Sequence, residues 1–261
     1  MRKLIAPVFF LVSIPVFAQE IFQLAPPILK YESVFFKRRA KLGMKFNQPG
    51  AEIHYTTNGK EPTINDLLYK QSLKITEGNY TITARTFASG LLPSEAVSVT
   101  FIKEGKRIEA ARFSIPSPKY PGSGSATLID NKGGIKDINS KTWLGYESDT
   151  VEIEIDLRNK QEVNKIILSL LNKTDSWIFL PEMIILYKFN TQTKLFEEVS
   201  KSIDIETQES KPGIILKQIF PDRPLITSKL MVQLIIVKKI PDGYPGKGQH
   251  GWLFIDEIKV Y

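Results

Sequence analysis

Apolar positions along this chain recur every second residue far more often than every third or fourth. Ala40, Leu42, Met44 and Phe46 are spaced by two, as are Ile53 and Tyr55, then Tyr80, Ile82 and Ala84, then Val97, Val99 and Phe101. In the second half Val151, Ile153, Ile155 and Leu157 alternate with Glu152, Glu154 and Asp156. Successive side chains of a strand point to opposite faces, so this pattern predicts half-buried antiparallel strands. Turn residues separate the runs: Gln48-Pro49-Gly50, Asn58-Gly59, Glu77-Gly78-Asn79 and Ser89-Gly90. Short strands at this spacing predict an all-β chain made of sandwiches.

A break falls near residues 103 to 120. Lys103-Glu104-Gly105-Lys106-Arg107 is polar, Ser114-Ile115-Pro116-Ser117-Pro118 follows, and Pro121-Gly122-Ser123-Gly124 comes after it. Roughly 80 patterned residues precede the break, an immunoglobulin-like size, and roughly 140 follow it, enough for a jelly-roll. The predicted fold is an immunoglobulin-like sandwich followed by a jelly-roll β-sandwich. No internal repeat links the halves.

The first eighteen residues read as a signal peptide. Arg2 and Lys3 are followed by an apolar run from Ile5 to Val16, and Val16-Phe17-Ala18 offers a cleavage site before Gln19. A transmembrane anchor is the competing reading, but the run is short for a bilayer and Pro15 interrupts it. No later segment is long and apolar enough to span, so the expected product is exported and soluble: periplasmic, cell-surface or secreted. With no cysteine in the chain, disulfides, thiol nucleophiles and Cys-type zinc sites are excluded. The 35 basic and 28 acidic residues give a net charge of +7. That excess suits acidic glycans or an anionic envelope surface, or serves solubility alone. No motif supports nucleic-acid binding. The densest basic run, Lys37-Arg38-Arg39-Ala40-Lys41, is expected to be a solvated strand edge.

In the first half, Ile53-His54-Tyr55-Thr56-Thr57-Asn58-Gly59-Lys60-Glu61-Pro62-Thr63 carries the clearest local signature, with Leu68-Tyr69 and Tyr80 to Gly90 behind it. Asn58-Gly59 supplies positive φ for a hairpin turn, and Pro62 ends the strand. This resembles the immunoglobulin-like domain at the C-terminus of bacterial chitobiases and β-hexosaminidases, over residues 26–102. The resemblance implies a structural spacer beside a catalytic barrel. His54 is expected to face solvent or an interface, opposite Ile53 and Tyr55.

The second half presents Lys119 to Gly124, Leu128-Ile129-Asp130-Asn131-Lys132-Gly133-Gly134, Trp143-Leu144-Gly145-Tyr146, Val151 to Leu157, Ser176 to Pro181, and Gly251 to Tyr261, in that order. The ordered set is similar to coagulation factor 5/8 type C domains, also called discoidin or galactose-binding-like domains, over residues 107–261. Such a resemblance implies a jelly-roll, carbohydrate binding and one structural calcium ion. Asp130 and Glu257 match the acidic calcium ligands, whose oxygens suit a hard cation. The sequence departs from the family after Asp130, where Lys132 replaces a neutral residue. The alternative is that Asp130 caps a turn and Glu257 is a solvated strand residue.

Two places are candidates for sugar contact. Trp177 follows the polar stretch Asn172 to Ser176 and can stack on a sugar ring, or else it starts a buried strand with Phe179 and Pro181. The glycine-rich segment 241–250 offers Tyr244 for stacking and Lys247, Gln249 and His250 for hydrogen bonds, or else is a plain loop. Trp143 reads as core.

Catalysis is not expected. Glycoside hydrolysis usually needs two carboxylates across a cleft, and the barrel that carries them in whole enzymes needs about 250 residues. Asp256 and Glu257, as strand neighbours, are expected to face opposite ways. The expected role is an exported carbohydrate-binding or targeting protein acting through the second half on a glycan ligand. The alternative is a cell-envelope scaffold that binds a protein partner such as a separately encoded glycosidase.

Overall fold

A computed structural model describes residues 22–133, 135–203 and 212–261. The candidate signal peptide, residues 1–18, lies outside them. Among the described residues the elements are strands and two 3-10 turns, and no helix is long and apolar enough to cross a membrane. The chain is all-β.

The first half contributes β1 (Ile28–Lys30), β2 (Phe35–Phe36), β3 (Ala40–Lys45), β4 (Glu52–Thr56), β5 (Leu67–Leu68), β6 (Leu73–Ile75), β7 (Tyr80–Phe87) and β8 (Val97–Lys103). They form a three-stranded sheet, β1-β3-β6, and a five-stranded sheet, β2-β8-β7-β4-β5. The alternation read from the sequence points Leu42, Met44, Ile53, Ile82, Ala84, Val99 and Phe101 into one core. Burying each large aliphatic side chain contributes about 2 kcal/mol. Gly59 has the positive φ the turn signal requires (+78°), but β4 pairs with β5 across residues 57–66 rather than through a two-residue hairpin.

His54 is a correction. It is buried, with Nδ1 2.9 Å from the Asp66 carbonyl, Nε2 3.3 Å from a Glu52 carboxylate oxygen, and its ring edge-on to Phe87. The segment that leads into β5 covers the face that strand alternation alone leaves open.

The second half contributes β9 (Ala110–Phe113), β10 (Leu144–Tyr146), β11 (Thr150–Val163), β12 (Ile166–Asn172), β13 (Met183–Phe189), β14 (Phe196–Ile203), β15 (Gly213–Ile219), β16 (Leu225–Ile235) and β17 (Leu253–Val260). Two antiparallel sheets, β10-β17-β12-β15 and β14-β13-β16-β11-β9, enclose a second core that includes Val151, Ile153, Ile155, Leu168, Leu170, Leu186, Val232 and Ile255. The acidic side of β11, with Glu152 and Glu154, faces solvent as its pattern predicts.

β17 departs from period two, since all eight of its residues are buried. Its core-facing residues are Leu253, Ile255, Ile258 and Val260. Its other face is covered from two directions. At one end the first sandwich packs on it and on β12 and β15, where Ile167, Leu216 and Tyr261 join the first core. At the other end Trp143, Leu171, Ile178 and Phe254 pack together, and the Trp143 indole N–H donates to the Ile135 carbonyl at 2.9 Å. Trp143 is core.

Candidate functional site

Between those two covers lies a layer of buried polar side chains: Ser169, Asp256, Glu257 and Lys259. The β12–β17 register runs from Ser169↔Glu257 directly to Leu170↔Ile255, so Asp256 is the extra residue of a β-bulge. A Cβ at Gly133 would collide with the Asp256 carboxylate, and Asn131 reaches the Glu257 partner Lys259. Both carboxylates therefore lie beneath the 130–133 turn. The bulge cancels the opposite facing that strand neighbours normally have.

The Lys259 ammonium, 3% exposed as a residue, sits 2.8 Å from Asn131 Oδ1 and 3.0 Å from Glu257 Oε1, and 5.5 Å above the Phe35 ring. Burial pushes the Glu257 carboxyl up to about 8, with Lys259 pulling the other way and Asp130 and Asp256 adding to the rise. Asp130 caps a turn, its Oδ1 accepting from the Lys132 N–H at 2.8 Å.

The residues present do not fit a calcium ion. An ammonium already fills the space between the oxygens that converge here, and a divalent cation beside it would be repelled. Glu257 Oε2 and Ser169 Oγ lack a hydrogen-bond partner among the described residues. Among the described residues no three His, Cys, Asp or Glu side chains gather where they could hold a metal. Glu257 is also no solvated strand residue, because the loop and the first sandwich close over it.

The sugar-contact candidates lie elsewhere on the second sandwich, and two of them meet. Thr174–Ser176 form a 3-10 turn that Trp177 ends in left-handed backbone, φ +65°. Trp177 is thus on a loop, not at the start of a strand, and is 37% exposed. Left-handed backbone costs a residue with a Cβ roughly 1–2 kcal/mol. Hydrogen bonds hold it there: the Trp177 N–H donates to Thr174 O at 3.1 Å, and Trp177 O accepts from the Trp252 N–H at 2.7 Å. Gly246 of the 241–250 segment lies against the indole so closely that a Cβ there would collide with the ring, and its φ of +79° also favours glycine. One side of the indole is therefore backed by the loop backbone.

The remaining candidates divide. Gln249 is exposed beside Gly246, whose carbonyl accepts from the Gln249 N–H at 2.9 Å. Tyr244 turns inward and packs edge-on to Phe179, centroids 5.4 Å apart, with Val237 and Ile240. His250 places Nδ1 2.7 Å from the Gly251 carbonyl and Nε2 3.2 Å from Asp149 Oδ1. Both are half-buried and held by these contacts.

Asp149 has a place in the second-half sequence pattern but no role read from it; it fastens both ends of this loop. Its Oδ2 accepts from Lys238 at 2.6 Å, its Oδ1 faces His250, and its carbonyl accepts from the Ile236 N–H. The Lys238 hydrogen bond first, and that of His250 second, hold its carboxyl below the usual carboxylate range. Its partners lie 89 and 101 residues away, so no local motif marks it.

Residues 33–99 match the family described as the chitobiase/beta-hexosaminidase C-terminal domain. No curated protein sequence matches the chain. Solved structures similar to it include the family 32 carbohydrate-binding module of C. perfringens NanJ in complex with galactose, at 15% identity over 57% of this chain and 90% of that one, TM-score 0.37. A family 32 module of AlyQ in complex with 4,5-unsaturated mannuronic acid has 14% identity over 59% and 95%, TM-score 0.38. Chitosan-binding module 1 of a Paenibacillus sp. IK-5 chitosanase/glucanase has 14% identity over 58% and 92%, TM-score 0.36. At these identities and TM-scores the likeness says nothing of what this chain binds.

Proposed function

We propose that this is an exported, non-catalytic glycan-binding protein in which residues 1–18 direct export. Residues 26–102 form an immunoglobulin-like module of the chitobiase C-terminal type. Residues 107–261 form a jelly-roll module of the factor 5/8 type C kind that carries the sugar site. The observation that carries the reading is Trp177: an indole held in costly backbone at a loop end, backed on one side by Gly246 and still open to solvent. A preorganised aromatic surface of this kind stacks on the apolar face of a sugar ring with little ordering cost. Asp175 and Gln249 are exposed near it and supply hydrogen-bonding groups for ring hydroxyls. No catalytic role is assigned, because the adjacent carboxylates Asp256 and Glu257 are sealed beneath the 130–133 turn.

Calorimetry of the protein against a panel of neutral and amino-sugar oligosaccharides tests the reading. The expected result is binding that Trp177→Ala abolishes while the fold stays intact. Silence across the panel from folded protein would overturn it and favour a scaffold that binds an envelope protein.

A further inference from the structure

The basic residues of the run at 37–41 are exposed, as expected, but they do more than edge a strand. They line a cleft of about 1550 Å³ beside β3. One wall is the outward face of the β1-β3-β6 sheet, another is the segment from Tyr31 to Arg39, and Asn131 and Lys132 reach it from the second sandwich. Lys30, Arg38, Arg39, Lys41, Lys74 and Lys132 all line this space, against the carboxylate of Glu32. Lys37 also lines it, and is paired with Glu104 at 3.5 Å. The other six make no ion pair with a carboxylate among the described residues.

The register of the small sheet sharpens the point. Lys41 and Lys74 are direct cross-strand partners, held there by Leu42↔Leu73 and Ala40↔Ile75 on either side. Like charges directly opposite each other destabilise an antiparallel pair. Gly43, two residues along the same face, carries no side chain, and a Cβ placed there would lie 3.7 Å from the Lys30 Cβ, so the floor between the lysines stays open. The fold thus concentrates positive charge in a concave place, with Glu32 the one carboxylate among the described residues that line it. A ligand that brings several negative charges relieves that repulsion.

We infer that this cleft is a second binding site, for an acidic polysaccharide bearing carboxylate or sulfate groups along its length. Six cations spread along a groove match an extended polyanion better than a single small anion. A concave cleft does not present its charges to a flat bilayer. Tyr31, 36% exposed, offers a ring for sugar stacking, whereas Phe35 and Phe36 are buried. Single-stranded nucleic acids are gripped by successive aromatic platforms, and the cleft presents one exposed ring. The site shares no residue with the Trp177 surface.

The test is calorimetric titration of the protein with oligogalacturonate, chondroitin sulfate, a neutral galactan of matched length, single-stranded DNA and anionic phosphatidylglycerol vesicles. One or both acidic glycans should bind, more weakly as salt rises, and the two arms tell carboxylate from sulfate. A Lys41→Gln, Lys74→Gln double variant should lose affinity roughly tenfold or more. Removing two opposed charges should leave its melting temperature at or above the parent's, so lost binding would not come from unfolding. Trp177→Ala should keep acidic-glycan binding. The inference fails if neither acidic glycan binds, if the neutral galactan, DNA or vesicles bind as tightly, if the lysine double variant binds unchanged, or if Trp177→Ala removes the binding.

Discussion

Lys259 shows how much one side chain decides. Its ammonium joins the 130–133 turn, β17 and the Phe35 ring of the first sandwich, and it takes the place between oxygens that a cation would need. Removing the ammonium leaves the buried Glu257 carboxyl and the Asn131 Oδ1 without their donor, which costs about 1–3 kcal/mol. Lys259→Ala should therefore lower unfolding free energy by about that amount in urea titration, and a Lys259→Met, Glu257→Leu double variant should recover most of the loss. The parent's melting temperature should not change between calcium and chelator; a rise with calcium would show that the ion binds despite Lys259. At the sugar-contact surface, Gly246→Ala should displace the indole. It should weaken glycan binding about as much as Trp177→Ala does while leaving the core transition in place, as calorimetry and thermal melts can read.

At the scale of elements, the loop that supports Trp177 depends on Asp149, at the turn between β10 and β11. Lys238 and His250, at its two ends, both hydrogen-bond that carboxylate. A carboxyl whose folded pKa is depressed lends its stabilisation above the ordinary carboxylate pKa and loses it as pH falls through the folded value. Loop amides 241–249, corrected for intrinsic rates, should thus become less protected toward acid while the β12 and β17 amides stay protected. Asp149→Asn should produce the same loosening at neutral pH by hydrogen exchange. Equal protection in parent and variant would show that the loop holds itself.

At the scale of the molecule, the two sandwiches are packed against each other rather than strung on a free linker. From within their own sheet the Ile167 and Leu216 side chains join the first core, the Lys106 N–H donates to Val260 O at 2.7 Å, and the Tyr261 hydroxyl donates to Lys103 O. Calorimetry should therefore show one cooperative transition. Ile167→Asp buries an unpaired charge in that seam and should split the transition in two or lower the weaker step. Two transitions in the parent would mean the seam contributes little.

Period-two alternation and turn residues made the all-β class readable from the chain alone, since burial on one face of a strand leaves a trace in consecutive residues. Leu42, Ile82, Val99 and Ile153 were placed in cores this way, and the structure has them there. The same trace mispredicted His54 and the facing of Asp256 and Glu257. A covering segment buries the one, and a β-bulge redirects the other, and neither leaves a local periodic signal. Trp177 and the 241–250 loop were each visible as candidates, but their meeting at Gly246 was not. Tyr244 and His250 were also visible, but their contacts with Phe179 and Asp149 were not. The basic run at 37–41 was plain in sequence, yet Lys30, Lys74 and Lys132 join it only through strand register and the seam. Sequence alone determined which stretches form strands, because that choice depends on neighbours along the chain. The tertiary structure decided which charges and rings share a surface, because those contacts join residues tens to a hundred positions apart.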